Sequence, residues 1–145
     1  MADESTRIDQ WLFETLKADA TLTALIGGST TPRIYADMIP AAAAYPAVTF
    51  QNQATTDVLG ATEATRIMVN GVWAVFGIAE TGTWVGDLQD IADRIDTLLH
   101  ASSGGTADSL TVFTSYRIQG LRLLEERDGR QFRRLGGLYR VIAQR

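Results

Sequence analysis

The sequence predicts an α+β fold: one largely antiparallel or mixed β-sheet, about three helices packed on it, and a long C-terminal β-hairpin. Apolar residues recur at helical spacing near the N-terminus and again over residues 84–100. Residue patterns typical of β-strands lie between these two helical segments and again after the second one. Asp128-Gly129 lies between two long strand patterns and is a strong hairpin signal. With 145 residues, 46% of them hydrophobic, and no cysteine, we expect a single domain over residues 1–145 that needs no disulfide.

The N-terminal part of the chain predicts two helices. The first begins near Ser5-Thr6, which are competent N-caps, and residues 1–5 are expected to be flexible. Its apolar side chains form one stripe: Ile8, Trp11, Leu12 and Leu16. Asp19 is the predicted cap of a second, short helix over residues 20–26, which ends at Gly27-Gly28 because glycine readily adopts the left-handed C′ conformation.

Strand patterns occupy the middle of the chain. A short extended piece over residues 33–36 precedes a strand over residues 47–53, in which apolar and polar side chains alternate. Residues 54–65 are rich in Thr and Ala and hold few large apolar groups, so we predict a long, flexible loop there. Residues 66–76 carry apolar side chains at both parities, which is typical of a central strand covered on both sides.

The last third of the chain predicts a helix over residues 84–100 and then the hairpin. A two-residue turn at Asp128-Gly129 would place Arg127 opposite Arg130 and Leu124 opposite Arg133. The tip of this hairpin is rich in arginine. We expect it to project from the domain, because a surface so polar packs poorly on an apolar core.

Motifs of the common catalytic and cofactor-binding classes are absent. The chain has no GxxxxGK, GxGxxG, HExxH or GxSxG sequence. One histidine and no cysteine exclude most zinc sites and all thiol chemistry. We therefore predict that the protein is not an enzyme and binds no cofactor or metal. No segment is long and apolar enough to cross a membrane, so we predict no membrane partner.

The tryptophans and the lone histidine have ordinary structural interpretations. Trp11, Trp73 and Trp84 lie at core positions of their predicted elements, with anchoring of a protein interface as the alternative. His100, the last residue of its helix, is interpreted as a partner of the helix dipole or as a bystander, not as a catalyst.

Four carboxylates recur every three residues along the helix over residues 84–100: Asp87, Asp90, Asp93 and Asp96. At this spacing they wind around the helix and do not converge on one point, whereas Ca²⁺ or Mg²⁺ needs several oxygen atoms around one ion. We interpret them as a solvated helix face. The alternative is a surface that faces a charged partner.

Charge is divided unevenly along the chain. Residues 1–108 carry 5 basic and 14 acidic side chains, a net charge of −9, and residues 109–145 carry 8 basic and 3 acidic ones, a net charge of +5. Such a division indicates either a nucleic-acid surface or complementary faces through which copies of the chain associate. The overall charge of −4 favours self-association. The arginines at the hairpin tip either protect it from edge aggregation or dock a partner: Arg127, Arg130, Arg133 and Arg134.

The order of these features resembles the tail completion family of long-tailed bacteriophages, which includes the tail terminator proteins. The resemblance begins with "LFETLKADATLTALIGG…PRIYADMIP…YPAVTFQ" and continues through "LGATEATRIMVNGVWAVFG". It extends through the helix "VGDLQDIADRIDTLLH" and the closing "GLYRVIAQ". Relatives of the same protein occur in gene transfer agents and phage-like particles.

The resemblance implies a structural virion protein in the tail or neck region, assembled in the host cytoplasm. Its partners would be further copies of itself in a ring, typically of six, the tail tube protein, and the head-completion or neck proteins. Such a ring stops tube polymerisation, presents the head-docking surface and lets DNA pass without sequence-specific binding. The segments expected to meet neighbours are the arginine-tipped hairpin with Asp128, and the loop that holds Asp57 and Glu63. The four helical aspartates are candidates for the channel lining.

The sequence is also compatible with two other functions. A head–tail connector or stopper protein would share the ring symmetry and differ in its partner. A non-viral module that binds a ligand would need a pocket, and no sequence pattern marks one.

Overall fold

The computed structural model describes residues 4–59, 66–82, 85–107 and 110–144. The helices in these ranges are α1 (Glu4–Lys17), α2 (Ala20–Leu25) and α3 (Val85–Leu99). The strands are β1 (Ile34–Ala36), β2 (Ala47–Leu59), β3 (Arg66–Glu80), β4 (Gly105–Ala107), β5 (Leu110–Arg127) and β6 (Arg130–Gln144). The predicted α+β class, with three helices and a C-terminal hairpin, is confirmed.

The six strands form one sheet in the order β1-β2-β3-β6-β5-β4. β1 is parallel to β2, and every other neighbouring pair is antiparallel. The predicted register of the hairpin is confirmed, since Arg127 faces Arg130 and Leu124 faces Arg133. Asp128 and Gly129 have φ values of 53° and 74°, which is the conformation that a two-residue type I′ turn requires.

The hairpin tip does not project freely as the sequence analysis expects. β3 continues past Phe76 to Glu80, and Glu80 pairs with Phe132 near the tip of β6. β6 is therefore a central strand over most of its length, between β3 and β5. The prediction was wrong because Phe132 is buried at the tip, where its ring meets Tyr45 at a centroid distance of 4.9 Å.

The predicted boundaries near residue 54 and at the N-terminus also need correction. Residues 54–59, expected to belong to a flexible loop, continue β2 and pair with β3. Their side chains are exposed, so the pairing with β3 holds them in place and apolar burial does not. α1 includes Glu4 and Ser5, so it begins before the predicted cap at Ser5-Thr6. Residues 1–3 and 60–65 lie outside the described residues.

All three helices pack on one face of the sheet, here called the helix face. The largest buried side chains there are Trp73 and Tyr139, which lie beside each other in register on β3 and β6. The indole Nε1–H of Trp73 donates a hydrogen bond to Asp9 at 2.8 Å. Trp11 is 4% exposed, so the core interpretation holds for Trp11 and Trp73, whereas Trp84 lies outside the described residues.

The opposite, open face of the sheet carries a second and smaller apolar cluster. Ile39, Ala47, Ile78 and Phe132 are buried in it, and Tyr45 packs against them. The segment over residues 37–46 covers this corner of the sheet, and the described helices lie on the other face. None of those helices combines the length and apolar character required to span a membrane.

Asp19 caps α2 as predicted and also joins that helix to α3. Its carboxylate accepts the Leu22 backbone N–H at 2.8 Å and two guanidinium hydrogen bonds from Arg94, at 2.8 and 2.6 Å. The hydrogen bond from Arg94 holds the pKa of Asp19 below its usual value. The carboxylate is therefore bound more tightly in its ionised form.

We expect Asp19→Ala to lower the free energy of unfolding by about 2 kcal/mol at neutral pH, because the cap and the ion pair are lost together. Because the folded-state pKa is depressed, the stabilisation is fully present above 3.8 and disappears as the pH falls through the folded-state value. Urea denaturation of both proteins from pH 7 to pH 3 measures the difference. Asp90→Ala, which removes an exposed carboxylate, is the matched control, and an equal loss in both variants would contradict the assignment.

Candidate interaction surfaces

Two of the predicted hairpin arginines fasten the tip to the rest of the molecule. Arg127 Nη2 donates to the Tyr45 hydroxyl at 3.0 Å, and its guanidinium lies 5.4 Å from the centre of the Phe132 ring. Arg130 forms an ion pair with Glu80 and lies 5.2 Å from the same ring. These cation–π contacts and hydrogen bonds hold the tip against the segment over residues 37–46. Asp128 is exposed at the turn itself.

Arg133 and Arg134 lie on opposite faces of the sheet, as neighbours in a strand must. Arg134, on the open face, pairs with Glu125 and stacks 4.7 Å above the Phe76 ring. Arg133, on the other face, has no ion pair to a described residue. Arg122 belongs to the same face as Arg133, since it faces Leu135 in register, and it too has no described carboxylate partner. Arg122 and Arg133 therefore form a local excess of positive charge.

The structure does not bring Asp57 near the hairpin tip of the same chain. Asp57 faces Val69 in register, and Val69 faces Ala143 of β6. The tip lies at the other end of β6, where Phe132 faces Glu80. The two predicted contact regions therefore lie at opposite ends of the sheet. Glu63, the other predicted residue of that region, lies outside the described residues.

The four aspartates of α3 do not act as one group. Asp87, Asp90 and Asp93 are exposed, and Asp93 accepts a hydrogen bond from Gln89 at 2.6 Å. Asp96 faces the sheet and accepts a hydrogen bond from the hydroxyl of buried Tyr139 at 2.9 Å. Burial and Asp96 raise the pKa of Tyr139 above its usual value. The described residues contain no group of three or more His, Asp or Glu side chains arranged to hold a metal ion.

His100 makes a structural contact that its position in the sequence does not predict. It follows α3 directly, and its Nδ1 accepts the backbone N–H of Arg117 at 3.0 Å. Arg117 is the residue before an irregularity in the β5–β6 register, so its N–H turns away from β6 toward the helix end. His100 therefore links the end of α3 to the outer side of β5.

Two shallow clefts flank the hairpin. One, of about 220 Å³, lies at the tip between Met38, Ile39 and the two arginines that contact Phe132. The other, of about 260 Å³, lies between α3 and the hairpin and is lined by Asp93, Arg122 and Leu121, among others. Both are open and mixed in polarity, a form more typical of contact surfaces between proteins than of enclosed ligand sites.

Comparison with known proteins assigns a family to this arrangement. Among solved structures, a chain from "Virion of native gene transfer agent (GTA) particle" superposes with a TM-score of 0.66 at 16% identity, with 92% of both chains covered. A second solved structure gives a TM-score of 0.55 at 12% identity, covering 91% of this chain and 94% of the other. These likenesses show the fold. A comparison with curated proteins finds no match.

A family model described as "Tail completion protein gp17" matches residues 10–142. The match begins within α1, ends within β6 and includes all of the helices and strands between them. The resemblance inferred from the sequence is thereby confirmed. The chain belongs to the tail completion protein gp17 family and is a structural protein of a phage-type tail.

Proposed function

We propose that this protein is a tail terminator. Six copies form a ring on the head-proximal end of the tail tube, where the ring stops tube polymerisation and offers a surface to the head-completion proteins. The protein is assembled in the host cytoplasm and stays in the neck of the virion. The observation that carries this proposal is the family match over residues 10–142. A structural role of this kind needs no catalytic group.

The distribution of charge supports assembly into a ring. In a closed ring, one surface of each subunit contacts a different surface of the next. Arg122 and Arg133 present positive charge on the hairpin, whereas residues 1–108 of the same chain carry a net charge of −9. Surfaces of opposite charge on one chain favour contacts between unlike surfaces of neighbouring copies.

The decisive experiment is deletion of the gene from its phage or particle, followed by electron microscopy of the products. We expect overlong tails that are not joined to heads, because tube growth then has no stop. Re-supplying the wild-type chain should restore normal length. Tails of normal length without heads would favour a connector or stopper protein, and normal infectious particles would contradict a role in assembly.

We expect the double variant Arg122→Glu/Arg133→Glu to reduce the ring population at least about tenfold without unfolding the chain, since both side chains lack an ion pair within the described part of the molecule. Arg134 is left unchanged because it pairs with Glu125. Native mass spectrometry measures the rings, and circular dichroism checks the fold. Lys17→Glu, an exposed reversal on α1, is the control. Rings that persist in the double variant would exclude this surface.

The exposed aspartates of α3 line the DNA channel in this proposal. Negative side chains repel the phosphate backbone, so they keep DNA from adhering to the wall as it passes. Replacing Asp87, Asp90 and Asp93 by Asn should slow DNA ejection at low salt, and the difference should shrink as salt screens the charges. Ejection rates identical to wild type at low salt would exclude these residues from the lining. Asp96 is left out because it binds Tyr139.

A further inference from the structure

Both sides of the sheet end in a strand that is only partly covered. β1 pairs with β2 as far as Phe50, which leaves residues 51–59, here the β2 edge, without an outer strand among the described residues. β4 pairs with β5 only through Val112, and His100 takes the Arg117 N–H. Residues 118–127, here the β5 edge, likewise have no described outer strand.

These edges lack two common protections against pairing, lysine and proline, although the β5 edge carries other charged side chains. Natural edge strands carry lysine or proline, or are covered by other segments. Neither the β2 edge nor the β5 edge contains a lysine or a proline. At the start of the β2 edge, side-chain amides of Asn52 and Gln53 donate to nearby carbonyls, so the free stretch is clearest over residues 55–59.

The exposed apolar side chains of the molecule concentrate on the same two edges. Seven large hydrophobic residues are exposed among the described ones, and five of them belong to an edge: Val58, Leu59, Ile118, Leu123 and Leu124. The other two are Met38 and Phe113. Leu124 is the most exposed of these five, at 75%.

The charges of the two edges differ in sign. The β2 edge holds Asp57 and no basic residue. The β5 edge holds Arg122 and Arg127 against Glu125 and Glu126, and Glu125 is already paired with Arg134. Pairing of two β2 edges would bring two acidic edges together, whereas the arginines of a β5 edge are opposite in charge to a β2 edge.

We propose that the β5 edge of one copy pairs with the β2 edge of a second copy, so that the sheet continues from subunit to subunit. Backbone hydrogen bonds between the edges would supply affinity, and the apolar side chains would be covered. The contact joins unlike surfaces, so it can repeat around a closed ring. As a ring contact, it rests on the proposed function.

The absence of cysteine makes the contact directly testable by cross-linking. Val58→Cys and Leu124→Cys variants of the full-length chain, carrying different tags, are mixed and treated with a short bis-maleimide. We expect a product of twice the chain mass that carries both tags. Met38→Cys is the matched control, because Met38 is 79% exposed but belongs to neither edge. A mixture of Met38→Cys with Leu124→Cys should give at least tenfold less product.

The outcomes separate this inference from the proposed function. Self-linking of Leu124→Cys would show a symmetric contact and overturn the inference. Absence of the mixed product would also overturn it, whether the protein forms rings through other surfaces or stays monomeric. Mixed product together with normal tails in the deletion experiment would overturn the tail-terminator role and leave the contact intact. As a second measurement, Leu124→Lys should lower the ring population at least tenfold, whereas Met38→Lys should not.

Discussion

The Trp73→Ala variant is expected to lose about 3–5 kcal/mol of unfolding free energy, a large share of the stability of a typical domain. The indole is fully buried on the helix face, in a core that is close-packed, so its removal leaves a cavity that the neighbours fill only in part. Its outer ring lies against Gly71, where an added Cβ would be 2.3 Å from Cζ3. The loss therefore combines an empty cavity, a lost hydrogen bond to Asp9, and loosened packing between α1 and β3.

Urea denaturation followed by far-ultraviolet circular dichroism measures this loss. Trp73→Phe helps to separate the contributions to this loss, because phenylalanine keeps most of the buried volume but has no indole N–H to donate to Asp9. We expect an intermediate loss of about 1–3 kcal/mol for that variant. If Trp73→Ala unfolds within 1 kcal/mol of wild type, the indole is not the centre of the core.

The second large effect is expected for Gly136→Val. A Cβ at this position would lie 2.2 Å from the Val75 carbonyl oxygen and 2.5 Å from the Phe76 Cα. Both are backbone atoms of β3, so the clash can be relieved only by separating the two central strands. We expect a loss of about 3 kcal/mol or more, at the upper end of what overpacking costs.

Gly120→Val in the same hairpin provides the control, since nothing lies within 4 Å of its added Cβ. Its unfolding free energy should stay within about 0.5 kcal/mol of wild type. The measurement is thermal denaturation of the two variants under the same conditions, with comparison of their midpoint temperatures. Equal midpoints would show that β3 and β6 are not as closely joined at Gly136 as the register indicates.

Local chemistry was enough to predict the helices and the hairpin. The Asp19 cap and the Asp128-Gly129 turn depend on neighbouring residues only, so the α2 boundary and the β5–β6 register followed from the sequence. The strand over residues 54–59 could not be predicted in this way, because its extended structure depends on pairing with β3 and not on an apolar pattern. The docking of Phe132 on Tyr45 joins segments far apart in the chain, which no local pattern encodes.

The sequence was enough to predict which charged residues form the candidate interaction surfaces, but not most of the contacts that these residues make. The division of charge between the two parts of the chain was visible in the sequence. One contact could also have been found, since the predicted register places Glu125 opposite Phe132 and hence diagonal to Arg134. The ion pair of Arg130 with Glu80 could not have been predicted from the sequence, because it depends on the extension of β3 beyond Phe76.

The central position of β6 has a consequence for synthesis on the ribosome. Among the described strands, β6 is made last, yet it lies between β3 and β5. Until it emerges, the nascent chain can form only two separate fragments of sheet, β1-β2-β3 and β4-β5, with an apolar gap between them. Long-range pairing of this kind folds slowly and leaves open strand edges exposed in the meantime. We therefore expect the sheet to close only after β6 has been synthesised.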